Sequence, residues 1–217
     1  MPQLMQTIAV YALPVIFAIT LHEAAHAYAA RYFGDSTAFA AGRMSMNPLR
    51  HIDPFGTIVL PILMFMFTPF VFGYAKPVPI DFNRLRNPKK QMLWVALAGP
   101  ASNFVMALGW LIVFKLLLAS GLGEAYPYQV AKAGVVVNIL MFVLNLIPIP
   151  PLDGGRIVTS MLPNRYAFKF AKIERYGFFI VLALLAMKLL DYWFVPMSAL
   201  TQTLLELLTS PLTYLLK

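Results

Sequence analysis

The chain has 217 residues, 60% of them apolar and only 12% charged, with a mean hydropathy of +0.72. Soluble domains carry about a quarter charged and roughly half apolar residues, so this composition excludes a disordered chain and points to an integral membrane protein small enough for one domain. The net charge of +8 would suit nucleic acid, but most basic residues fall in short loops between apolar runs and read as topology-setting charge, so no nucleic-acid partner is expected. The absence of cysteine excludes disulfides, thiolate zinc sites and iron–sulfur clusters, so any metal must be held by His, Asp or Glu.

The first apolar run carries no Lys or Arg over Met1–Thr7 and no small-residue cleavage pattern, so it reads as a retained span over 5–30 and not as a signal peptide. A second run, Phe55 to Gly73, contains Pro61 and Pro69. Further spans are expected at 93–119, 130–148 and 176–195, each close to the ~20 residues that a ~30 Å hydrocarbon layer requires. The tail from Ser198 to Leu216 is rich in Leu but interrupted by Glu206 and Pro211, and reads either as an interfacial helix or as a last span. Lys115, Lys132 and Lys188 fall near span ends, where long cations snorkel. The expected fold is an all-α polytopic membrane protein of about four to six transmembrane helices, forming a single membrane-embedded domain over 1–217, with C-terminal helices over 165–217.

Charge orients these spans. The loops 31–55, 74–92 and 149–175 together hold 13 of the 17 basic residues, whereas 120–129 holds none and carries Glu124. By the positive-inside rule the three basic loops are cytoplasmic and 120–129 is outside. The run 55–73 then has cytoplasmic loops on both flanks, which predicts a re-entrant or extended segment between the first and second spans, covered by protein or lining a watery cleft.

Within the first span, His22-Glu23-Ala24-Ala25-His26 forms an H-E-x-x-H sequence. Residues i and i+4 share a helix face, so the two imidazoles can converge on one ion while Glu23 lies beside them to accept a proton from bound water. Zinc suits imidazole and carboxylate ligands in a tetrahedral site with one open position. Ionisable residues near the bilayer centre cost about 2.5–3.5 kcal/mol each on insertion scales, which makes a chance cluster hard to sustain. Counting from Arg31 at about 1.5 Å per residue, His26 lies about 8 Å and His22 about 13 Å deeper, within reach of cytoplasmic water.

The candidates for a third ligand are Asp35, His51, Asp53, Asp81 and Asp153. Asp153 follows the 130–148 span in Asn145-Leu-Ile-Pro148-Ile-Pro150-Pro151-Leu-Asp153-Gly154-Gly155, where the prolines stop the helix and the glycines permit a tight turn. Topology favours it. With the first span running inward, 93–119 outward and 130–148 inward, Asp153 emerges on the side of the membrane that holds His26. His51 and Asp53, in a Pro-bounded turn, suit loop capping better than ligation.

These residues resemble the site-2 protease family of intramembrane metalloproteases. The resemblance rests on the H-E-x-x-H in an early span, Gly99-Pro100-x-x-Asn103, and the later Asn145…Pro148-x-Pro150-x-Leu-Asp153-Gly-Gly. The loops Gly42–Pro54 and Gly73–Pro79 look like those of its compact bacterial and archaeal members, and the similarity covers most of 10–160. The family implies one Zn2+ held by His22, His26 and Asp153, Glu23 as the catalytic glutamate, and a catalytic core over about 5–160. It implies cleavage of a peptide bond within or near a transmembrane segment of a membrane-protein substrate (regulated intramembrane proteolysis), with the active site towards the cytoplasmic side of the cell membrane. Larger relatives carry a PDZ or a C-terminal sensor domain. Their expected absence here assigns regulation to a separate membrane partner or to prior cleavage of the substrate.

Asn103 and Asn145 match family motifs and are expected to contact substrate or to support the site, whereas Asn138 suits interhelical hydrogen bonding. The stretch 73–80, with Pro77 and Pro79, cannot be regular helix, and an extended edge there can bind an unwound substrate strand. The alternative function is a membrane zinc transporter using the same His and Asp site. It gives Glu23 no special role, and the chain lacks the paired repeats common in transporters.

Overall fold

The computed structural model describes residues 2–51, 53–59, 76–123 and 125–216. Residues 60–73 of the expected re-entrant run, 73–75 of the expected extended edge and Glu124 lie outside the described residues. Among the described residues eight α-helices follow in order: α1 (Pro2–Tyr32), α2 (Thr37–Ala40), α3 (Pro88–Ala119), α4 (Tyr126–Asn145), α5 (Asp153–Met161), α6 (Asn164–Ala171), α7 (Glu174–Ala186) and α8 (Asp191–Leu215). No strand occurs among the described residues.

Helices α1, α3 and α4 are each long and apolar enough to cross a bilayer. They pack on one another, and α3 also packs on α5. On α1 the buried face is built from Ala18, Ala24, Ala27 and Ala30. Small side chains let helix backbones approach closely, which is how membrane helices gain packing where lipid is as apolar as protein.

The expected span 176–195 is corrected. Helix α7 stops at Ala186, where Lys188 adopts φ 58°. The Lys188 N–H donates to Leu185 O at 3.0 Å and the Leu189 N–H to Leu184 O at 2.9 Å. This pair of bonds, around one left-handed residue, is a Schellman cap. The chain then turns through 87° into α8, and the bent pair α7–α8 qualifies as a further span. Helix α8 follows α3 and α4 lengthwise. The Trp193 Nε1–H donates to Val143 O near the end of α4 (3.0 Å), and Leu205 packs on Ala107 and Leu111. Near the far end of α3, Lys115 Nζ donates to Glu206 Oε2 (2.5 Å), Thr209 Oγ1 (2.8 Å) and Thr213 Oγ1 (3.0 Å). Lys115 is therefore held by α8 instead of snorkelling: the largely exposed Glu206 carboxylate and two threonine hydroxyls meet its nearly buried side chain. The tail, undecided by sequence, packs along α3.

Between α1 and α3, residues 76–81 are extended and tied at both ends. The Lys76 N–H donates to His51 O (3.0 Å), and Arg43 Nη2 donates to Lys76 O (2.6 Å). The Asp81 N–H donates to Asp35 Oδ2 (2.7 Å). Asp35 is fully buried and also accepts from Thr37 N–H (2.9 Å) and Thr37 Oγ1–H (2.5 Å). Burial pushes the Asp35 carboxyl up, but these donors and the nearby Arg84 guanidinium outweigh it and hold the group below the ordinary carboxylate range.

Candidate metal centre

Three side chains from two helices converge at the heart of the bundle. His22 and His26 come one turn apart from α1, and Asp153 is the first residue of α5. The three are at most 5% exposed. His22 Nε2 and His26 Nε2 stand 3.1 Å apart, and each lies 3.2 Å from Asp153 Oδ2. At α5's first position the carboxylate meets the positive end of a helix dipole.

The loop before α5 departs from the expected turn. The three prolines do end α4's course, with Pro150–Pro151 in the cis form, but Gly154 and Gly155 lie inside α5. A Cβ on Gly154 would meet the Leu146 and Ile147 carbonyl oxygens at 2.4 Å, so glycine here serves close packing of the helix start against the end of α4. Gly99 acts similarly on α3: a Cβ there would come within 2.3 Å of His26 Nε2.

The backs of both rings are occupied. His26 Nδ1–H donates to Val95 O at 2.7 Å, an acceptor that leaves no other tautomer. Asn103 Nδ2 donates to Ala18 O (3.2 Å) and Asn138 Oδ1 (3.0 Å), so its Oδ1 accepts the His22 Nδ1–H at 2.6 Å. Asn138 in turn donates to Gly134 O within α4 (2.9 Å), and the bond it accepts from Asn103 ties α4 to α3. With both Nδ1 atoms protonated, both Nε2 atoms present lone pairs to one another and to a carboxylate oxygen that has no hydrogen-bond donor among the described residues. A cation bound between them would satisfy all three buried acceptors at once. Tetrahedral ligands about 2.0–2.1 Å from zinc stand about 3.3 Å apart, close to the spacings seen here, so the residues present fit the ion.

Glu23 stands beside this triangle but is not part of it; its Oε2 accepts the Val78 N–H at 2.8 Å. The other third-ligand candidates lie elsewhere. Asp53 caps Phe55 and Gly56 (3.0 and 2.7 Å), Asp81 caps Asn83 (3.0 Å), and His51 is buried with its Nε2–H donating to Ser45 O (2.7 Å). Asn103 is fully buried and saturated by protein, so it reaches the site through His22. Asn145 ends α4, its Nδ2 donating to Met141 O at 3.0 Å. Val95 and Val78 went unseen in the sequence, because both act through backbone atoms. An open groove of about 710 Å3 runs between the extended segment (Val78, Ile80), α3 (Lys89, Met92), Pro150 and Arg156 of α5.

Comparison with known proteins places these features. Residues 123–188 match the model of peptidase family M50, a stretch that includes Asp153. The chain is 35% identical over 188 residues to the Bacillus subtilis protein named "Putative zinc metalloprotease YwhC", covering 84% of this chain and 83% of that one. It is 32% identical over 187 residues to the similarly named Rip2 of Mycolicibacterium smegmatis (82% and 67%). It is also 31% identical over 81 residues to the zinc metalloprotease MJ0392 of Methanocaldococcus jannaschii (37% and 23%). No solved structure matches at comparable significance. A chain that crosses the membrane several times and resembles these proteins over most of its length belongs to peptidase family M50, the site-2 protease family of membrane zinc metalloproteases.

Proposed function

We propose that this metalloprotease hydrolyses a peptide bond within or near a transmembrane segment of another membrane protein, approached from the cytoplasmic side. His22, His26 and Asp153 hold the zinc ion and Glu23 carries the proton. The observation behind this reading is the triangle of buried acceptors, two of them on a helix apolar enough to cross the bilayer. A bound zinc ion supplies a Lewis acid that acidifies water and polarises a carbonyl.

The chain's own residues do the rest. Val95 and Asn103 fix the ring tautomers, so that both Nε2 lone pairs would be left for a bound ion. Glu23 takes the proton from the attacking water and hands it to the leaving nitrogen. Asn145 binds substrate backbone. A substrate helix must unwind locally, because its carbonyls are otherwise hydrogen-bonded. The extended segment 76–80, on the wall of the 710 Å3 groove, offers the freed strand an edge to lie against. Thirteen of the 17 basic residues lie in the three loops on the groove's side, which supports a cytoplasmic opening.

The test is Glu23→Gln with a single-span substrate in detergent. Cleavage falls by about 10²–10⁴-fold while zinc content and thermal stability stay at the wild-type level. Undiminished turnover would remove Glu23 from the chemistry. Zinc flux through proteoliposomes without cleavage would favour the transporter.

A further inference from the structure

We infer that the extended segment Lys76–Asp81 positions Glu23, with the Val78 amide as the contact and Asp35 as the anchor; this deepens the proposed role of Glu23 and rests on it. Glu23 projects from α1 on a side chain with three rotatable bonds, and among the described residues the Val78 N–H gives it its one hydrogen bond, at 2.8 Å. Holding one oxygen removes most of that rotational freedom and leaves the other oxygen for a proton. Restricting a reacting group in this way lowers the entropy cost of reaching the reactive geometry.

The segment's sequence suits the task. Pro77 and Pro79 fix φ and hold their neighbours extended, and they carry no N–H. Val78 is therefore the only donor between Lys76 and Ile80. In an extended chain alternate residues point their amides to one side, and here Lys76 N–H meets His51 O while Val78 N–H meets Glu23.

Both ends are pinned. Arg43 and His51 hold Lys76, and the buried Asp35 carboxylate holds the Asp81 N–H at 2.7 Å. Between the pins, the Val78 side chain packs on Ala27 of α1 and Ala38 of α2, which sets the distance from segment to helix. Val78 also lines the groove, so a peptide lying there touches the residue that holds Glu23. Val78 and Asp35 are positioning residues: neither needs to touch a reacting atom.

The contact can be tested without zinc or substrate. The stretch 77–80 contains only two exchangeable amides, Val78 and Ile80, so a peptide spanning it reads the bond almost alone. In the metal-free protein, Glu23→Ala accelerates hydrogen exchange there by about tenfold or more, the amount expected when one hydrogen bond to a charged group is lost. Equal exchange overturns the contact.

For the working enzyme, Val78→Pro removes the donor while keeping an extended chain. It lowers kcat by about tenfold or more with KM and zinc content unchanged, and adds nothing in a Glu23→Gln background. Asp35→Asn, which loosens only the anchor, shows a smaller fall with the same split. A change in KM alone, or an equal loss in the Glu23→Gln background, assigns the segment to the groove wall and overturns the positioning role. If Glu23→Gln is inactive while zinc-loaded Val78→Pro keeps wild-type kcat, only this inference falls. If Glu23→Gln turns over normally, the proton-carrying role falls with it.

Discussion

Two clusters of ionisable groups join the helices, one at the surface of the bundle and one buried within it, and they are built on opposite principles. At Lys115 a cation meets a carboxylate and two hydroxyls, each with a hydrogen to give or a lone pair to receive it. At His22, His26 and Asp153 only acceptors converge, because Val95 and Asn103 have already claimed the ring protons. The first cluster satisfies itself and joins α3 to α8. The second is a set of ligand atoms that a bound cation would join. Ionisable residues at membrane depth are commonly read as functional, yet this chain carries one cluster that is structural and one that is chemical. The balance of donors against acceptors tells them apart.

The contrast can be broken by substitution. The largest effect is expected at Asp153→Asn. Losing one of three ligands lowers zinc retention, measured by metal analysis after dialysis, by more than the about 10–100-fold typical of a supporting residue, and cleavage falls with it. Asn103→Ala comes next. Its loss frees the His22 ring to rotate or change tautomer and weakens zinc binding by about 10–100-fold, with the fold intact by circular dichroism.

Lys115→Met sharpens the comparison from the other side. Zinc content and turnover stay unchanged, and stability falls by about 1 kcal/mol or less, since the Glu206 side chain is 61% exposed and screened. A loss of zinc in this variant would erase the distinction between the clusters.

The smallest effect concerns Asp35. Its carboxyl titrates below its unfolded value of 3.8, so its stabilising contribution is fully present above that value and is lost as the pH falls through the depressed one. Thermal melts should accordingly drop below about pH 4 more steeply for the wild type than for Asp35→Asn. Parallel profiles would remove the anchor's electrostatic role.

Reading ahead from sequence succeeded where the relevant physics is local. His22 and His26 share a face because a helix repeats every 3.6 residues, whatever surrounds it. Asp153 was reached by parity: basic loops placed its emergence on the histidines' side. Helix α3 ends at Gly121, a left-handed position that glycine announces, whereas α7 ends in the same cap at Lys188, where nothing announces it. That one residue turned an expected span into a bent pair. Lys115 was misjudged for a related reason. Its partners lie more than 90 residues away on α8, beyond any local pattern. The motif picked out Asn103 as well, but not the direction in which its amide would be used.

What the chain by itself determined is a set of helices apolar enough to cross a membrane and the ligand-type side chains, because hydropathy and helical periodicity are properties of neighbouring residues. What only the tertiary structure decided is which atoms are free to act. Val95 O, Val78 N–H and the Asn103 amide come from distant segments, and a backbone carbonyl or amide looks the same in every residue until the fold aims it.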